Sequence, residues 1–308
     1  MKAIVYEKYG TSDVLQYKEV EKPVPKANEV LIKVHAASVN YIDWQMLTGE
    51  SLFIRITSGG IRKPKHRILG DDFAGKIEAV GSKVKQFQLG DEVFGINNCN
   101  AFAEFMCVPE KALMLKPSSM TFEEAAVVPT AAPTAFQGIR DKGKVKPGQQ
   151  VLIIGASGGV GTYAIQIAKS FGAEVTGLCS TGKKEMVRSI GADHVIDYTK
   201  EKFYQNGLNY DLIFAISGSY SIFDYRRALK SDGIYVCAGG SLSQYFQGVF
   251  MGSMLSMIGN KKMGSMFTNP NQEDYKCLIE LFESGKLLPI IDRHYQLRDV
   301  PEALQYYA

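Results

Sequence analysis

Histidine is scarce in this chain of 308 residues: only His35, His66, His194 and His294 occur, and none adjoins another. The five cysteines, Cys99, Cys107, Cys179, Cys237 and Cys277, are scattered, with no CxxC pair. An odd, unclustered set reads as reduced thiols, not a disulfide framework, and leaves a zinc site little material. Neither sign of charge is in real excess: Lys and Arg number 35, Asp and Glu 32, for a net charge of +3. So small a surplus argues against a nucleic-acid partner, which calls for a concentrated basic face. Long apolar runs are missing too. Val249 to Ile258 is the best candidate, and Gly252, Ser253 and Ser256 interrupt it, against the ~18 apolar residues of a membrane span. The opening Met-Lys-Ala-Ile-Val-Tyr-Glu-Lys sets charges inside its apolar stretch, unlike a signal peptide. These absences point to a soluble, cytoplasmic protein with no membrane partner. A hydrophobic share of 45% and a charged share of 22% are ordinary for a globular chain, and the length suits about two domains.

Two textures divide the sequence. Residues 1–125 hold short alternating apolar stretches, such as Lys2–Tyr6, Glu29–Ala36, Gly75–Val80 and Ala103–Val108, bounded by turn residues. That pattern predicts a strand-rich barrel. Thr121 and Glu124 form a capping-box pattern that opens a helix. Across residues 126–262, strand patterns (Val151–Ile154, Glu174–Cys179, His194–Ile196, Asp211–Ile216, Ile234–Ala238) alternate with helical ones. This is the α/β signature of a doubly wound parallel sheet. Residues 263–308 return to helix, a short extended piece and a final helix.

The strongest motif is Gly155-Ala156-Ser157-Gly158-Gly159-Val160-Gly161, set between a buried-strand pattern and a helix. That context makes it a dinucleotide fingerprint: Gly155 for the tight turn, Gly158 and Gly159 for close approach of a pyrophosphate, Gly161 for helix–strand packing. The helix N-terminus then offers amides and partial positive charge to phosphate. A site for NAD usually places Asp or Glu at the end of the second strand. Here that strand ends Cys179-Ser180-Thr181, and Lys183 and Lys184 follow. A hydroxyl and two cations favour a 2′-phosphate, hence NADPH; the alternative is that the lysines simply start a solvated helix. Tyr198, just after the third strand pattern, is placed to cover the same phosphate.

Gly70-Asp-Asp-Phe-Ala-Gly75, Glu78-Ala-Val-Gly81, Gly90-Asp-Glu-Val-Phe-Gly95 and the Gly155–Gly161 run occur in an order and spacing that resemble the medium-chain dehydrogenase/reductase superfamily. Within it the chain is most similar to the zinc-independent quinone oxidoreductase and enone reductase branch. The resemblance implies a GroES-like β-barrel over residues 1–125, a Rossmann domain over 126–262, and a return to the first domain over 263–308. It also implies hydride transfer from NADPH to a small apolar carbonyl or quinone, and a homodimer formed through the Rossmann domain. The positions matching the zinc ligands of related alcohol dehydrogenases are Asn40, Asp71 and Thr130, a poor donor set, so no metal is expected. The implied catalytic positions are Asn40, Tyr41 and Asp43. Asn40 would orient cofactor or substrate; Tyr41 would donate a proton or pack as an aromatic; Asp43 would take part or cap its helix. Thr134, Gly239 and Gly240 join the implied cofactor set. Phe53 to Arg67, with Gly59-Gly60 and several basic residues, reads as a lid or as a solvated loop. The resemblance also implies a strand after the last helix, which would follow Tyr306-Tyr-Ala308, where this sequence stops. Two further readings stay open: a non-catalytic NADPH-binding protein, and an enoyl-thioester reductase whose Arg62–Arg67 segment meets a phosphorylated carrier.

Overall fold

A computed structural model describes residues 1–56 and 60–308. In chain order, residues 1–130 form β1 (Lys2–Val5), β2 (Gln16–Glu19), β3 (Glu29–Ala37), α1 (Tyr41–Thr48), α2 (Leu52–Ile54), β4 (Asp72–Val80), β5 (Glu92–Ile96), β6 (Phe105–Pro109), β7 (Leu113–Leu115) and α3 (Phe122–Ala126). Residues 131–290 form α4 (Ala131–Gln137), β8 (Gln150–Ile154), α5 (Gly159–Ser170), β9 (Glu174–Cys179), α6 (Lys184–Ser189), β10 (His194–Asp197), β11 (Tyr210–Ala215), α7 (Ile222–Ala228), β12 (Leu229–Cys237), α8 (Leu242–Phe246), α9 (Gly252–Ser256), β13 (Lys262–Ser265) and α10 (Gln272–Glu283). The last helix is α11 (Val300–Tyr307). Two units result: Met1–Thr130 with Ile291–Ala308, and Ala131–Ile290.

The first unit carries an antiparallel sheet in the order β6-β3-β4-β5-β7 and a β1-β2 ribbon. Register shifts at Leu31/Ile32 and Val34/Ala36 bend β3 against β4, as bulges do. Inward positions Val30, Ile32, Phe73, Ile77, Val93 and Val108 build one core. Val300 and Leu304 of α11 join Ile4, Tyr6 and Leu47 in another.

The second unit is a six-stranded, fully parallel sheet in the order β10-β9-β8-β11-β12-β13. Strand order reverses between β8 and β11, and ligands of such sheets bind beyond the carboxyl ends of the strands at that switch. The second unit also runs further than its sequence suggests, to Ile290 and not 262. Two contacts hold residues 263–290 there: β13 pairs with β12, setting Val236 opposite Gly264, and Asp274 of α10 accepts from Gln137 Nε2 at 2.7 Å and Arg140 Nη2 at 2.7 Å. At the other boundary, the second unit starts at Ala131, five residues past the position read from the sequence. No helix among the described residues is long and apolar enough to cross a membrane.

Candidate active site

The Gly155–Gly161 run closes β8, whose Val151, Leu152, Ile153 and Ile154 are all buried, and turns at Gly155 with φ +85°. A Cβ at Gly161 would lie 2.0 Å from Gly155 O. The glycine there lets α5 start against the strand. Gly158 and Gly159 meet nothing comparable: added Cβ atoms would find their nearest atoms at 3.5 and 3.9 Å. Their backbone lies bare, and Ser157 and Val160 are half-buried beside it. The first turn of α5 contains no acidic residue, and its amides have no preceding turn to bond. This arrangement fits a pyrophosphate.

After β9 the chain turns through Ser180, whose carbonyl accepts from Lys183 N at 3.1 Å. Ser180, Lys183 and Lys184 are half-buried. Sequence reasoning found no acid at the end of β9 but missed Asp197 at the end of neighbouring β10. That carboxylate is turned inward: it accepts from Thr181 Oγ1 at 2.5 Å, and from Thr199 Oγ1 at 2.6 Å and Thr199 N at 3.1 Å. The Thr181 hydroxyl above all, then that of Thr199, lowers its carboxyl to about 2. Asp197 therefore fixes the turn and offers no oxygen outward. Its only sequence signal is Thr199 two residues on, an Asx-turn pattern. Tyr198 donates its amide to Cys179 O at 3.1 Å, and its ring stands 53% exposed, so it is no core aromatic. The structure thus groups the glycine turn, the Ser180–Lys184 turn and Tyr198 beyond β8, β9 and β10.

Gly239 and Gly240 follow β12. A Cβ on Gly239 would come 2.4 Å from Ile216 O, and Gly240 has φ +103°. Thr134, on α4, is buried with its Oγ1 2.9 Å from Thr268 Oγ1.

The candidate catalytic residues lie in the first unit at the start of α1. The third of them, Asp43, caps α1. It is 1% exposed and accepts from Asn40 N at 2.8 Å and Gly70 N at 3.0 Å. Burial first, then Asp71, drives its carboxyl well up. Asn40 donates Nδ2 to Ser38 Oγ at 3.0 Å, and its side chain also bonds Asp72. Asp72, fully buried, accepts from Thr130 N at 3.0 Å and Thr130 Oγ1 at 2.6 Å; burial pushes its carboxyl up to about 7. Asp71 accepts from Cys99 N at 2.9 Å. Of the three positions that the resemblance matches to zinc ligands, one is therefore an amide, one a hydroxyl and one a carboxylate engaged by backbone. That set does not suit zinc, and among the described residues no three His, Cys, Asp or Glu side chains group to hold a metal ion. Tyr41 opens α1 with 48% exposure, so its phenol is open to a ligand. Tyr307 of α11, 46% exposed, comes near Tyr41 and Asp43. No sequence signal announced it. Gly59 of the expected lid lies outside the described residues. Within the rest, Arg55 sits 4.6 Å over the Tyr9 ring and Arg67 pairs with Glu7.

Two family profiles match: an alcohol dehydrogenase GroES-like domain over residues 26–118 and a zinc-binding dehydrogenase over residues 190–308. A 2-methylene-furan-3-one reductase of Solanum lycopersicum is 35% identical over 95% of this chain and 71% of its own. The chain belongs to the medium-chain dehydrogenase/reductase superfamily. It is an oxidoreductase of that superfamily, similar to its quinone oxidoreductases and enone reductases. A chloroplastic NADPH-dependent alkenal/one oxidoreductase of Arabidopsis thaliana is 34% identical over 95% of this chain and 72% of its own. The quinone oxidoreductase structure from Coxiella burnetii superposes with a TM-score of 0.86 at 28% identity, covering 100% of this chain and 95% of that one. The superfamily's zinc-binding description meets, in this member, the unsuitable donor set around Asn40, Asp71 and Thr130.

Proposed function

We propose that this oxidoreductase reduces α,β-unsaturated carbonyls or quinones with NADPH and without a metal. The observation that carries the reading is the pairing of the Gly155–Gly161 turn with a second turn holding Ser180, Lys183 and Lys184, while the nearby acid, Asp197, faces inward. The α5 amides would hold the pyrophosphate; Ser180 and the lysines would meet the 2′-phosphate through charge-assisted bonds. Bound NADPH supplies the hydride. Asn40 would orient the carbonyl, and Tyr41 or water would deliver the proton. A conjugated acceptor spreads the incoming charge over several atoms, so it needs no Lewis acid where the donor set cannot hold zinc. The names of the tomato and Arabidopsis relatives support this substrate class. The place of β13 at the end of the sheet order and the exposed Phe250, Met251, Met254 and Met257 support a homodimer through the second unit, which light scattering would read as twice the chain mass.

Steady-state NADPH oxidation across a panel of enones, quinones and enoyl-CoA esters tests the reading. Turnover of enones or quinones after dialysis against a chelator is expected. Binding without turnover would identify a non-catalytic NADPH-binding protein, and preference for the esters an enoyl-thioester reductase.

A further inference from the structure

Gln244 has no part in the site described above, yet it lies under one half of it. Helix α8 begins directly after Gly239-Gly240, with Ser241 as its N-cap; Ser241 Oγ accepts from Gln244 N at 3.2 Å. A glutamine at this third helical position commonly folds back onto the cap amide. In this chain it turns inward and is 1% exposed. Its Nε2 lies 3.5 Å from Tyr235 Oη, and the same amide reaches the Cys237 thiol. Cys237 Sγ in turn donates to Gly239 O at 3.2 Å. On the other side, Gln244 Oε1 has no hydrogen-bond partner among the described residues. It lies 2.9 Å from the point a Gly240 Cβ would occupy, with Gly218 O 3.1 Å from that same point. One buried amide therefore backs both glycines after β12, Gly239 through Cys237 and Gly240 directly, and Gly240 in turn lies against the turn after β11.

Doubly wound sheets bind a dinucleotide in two halves, one beyond each set of strands flanking the switch. The Gly155–Gly161 and Ser180–Lys184 turns belong to the β8–β10 side, and the turns that Gln244 backs belong to the β11–β12 side. We propose that Gln244 is a positioning residue for the nicotinamide half of the cofactor, setting the Gly239-Gly240 turn, Gly239 through Cys237 and Gly240 by direct contact. This rests on the NADPH reading and deepens it. Replacing the amide frees that turn without touching the adenine side.

Calorimetric titration of Gln244→Leu and Gln244→Glu with NADPH and with 2′,5′-ADP, which lacks the nicotinamide half, tests the assignment. Gln244→Glu keeps the shape and loses the donor, so it serves if the leucine variant folds poorly. Expected is NADPH binding weakened about tenfold, as for loss of one buried hydrogen-bonding group, with 2′,5′-ADP binding unchanged. Equal weakening of both ligands would mean general structural damage and overturn the proposal, as would unchanged NADPH binding. Failure of the unsubstituted protein to bind either ligand would sink the NADPH reading itself, a result distinct from these.

Discussion

Glycines of the phosphate turn fall into two kinds, and alanine substitution should separate them. At Gly161 the new Cβ would sit 2.0 Å from Gly155 O and 2.8 Å from the backbone of Ala156. Ordinary contact needs well over an ångström more, and backbone cannot swing aside as a flexible side chain can. Helix α5 must therefore move off β8, and overpacking of this kind costs roughly 1–3 kcal/mol or more. Gly161→Ala should lower the melting temperature and weaken NADPH together. At Gly159 the nearest atom to a new Cβ is Ala131 Cβ at 3.9 Å. An alanine there leaves the fold intact and gains up to ~1 kcal/mol of helix propensity. If a phosphate lies on that backbone, however, the methyl stands in its place. Gly159→Ala should then match or exceed the parent melting temperature while binding NADPH at least about tenfold more weakly, the equivalent of one charge-assisted hydrogen bond. Thermal denaturation without cofactor and fluorescence titration with it give the two readouts. A Gly159→Ala protein with full affinity would refute the placement of the pyrophosphate over this turn.

Three further outcomes are expected. Ser180→Asp puts a carboxylate where the 2′-phosphate would lie, so the NADPH-to-NADH affinity ratio should fall by about tenfold or more; titration with both cofactors reads it. Tyr198→Phe removes a hydroxyl from a half-exposed ring, so NADPH should weaken by ~0.5–3 kcal/mol with NADH and thermal stability unaltered. Asp72 holds its proton up to about 7 in the folded protein against an ordinary value of 3.8. Between those values the folded state binds a proton that the unfolded state has released, so stability falls as pH rises through this window. Asp72→Asn, with no proton to lose, should flatten melting temperature against pH between 4 and 7, and a slope unchanged from the parent would count against the assignment.

The phosphate turn was legible in the sequence because both of its constraints are local: a β-branched run that must be buried, then glycines where no side chain fits. The end of the second unit was not. β13 is Lys-Met-Gly-Ser, four residues with no apolar alternation, and only pairing with β12 makes it a strand. Asp197 escaped notice because its key partner, Thr181, stands 16 residues away. Asp43 was ambiguous for another reason. An aspartate three residues into a helix can cap or catalyse, and the sequence shows neither its bond from Gly70 N nor its burial.

Helix α11 closes a core with Ile4, Tyr6 and Leu47, so residues 291–308 return to the unit that residues 1–130 begin, while residues 131–290 form the other. Synthesis in chain order therefore delivers every strand of the second unit's sheet before the first unit receives its closing helix. Parallel pairing between distant segments is slow, yet here the sheet can complete before the barrel can. A chain truncated after Ile290 should therefore protect the sheet from protease and leave the region around Tyr6 and Leu47 open to cleavage.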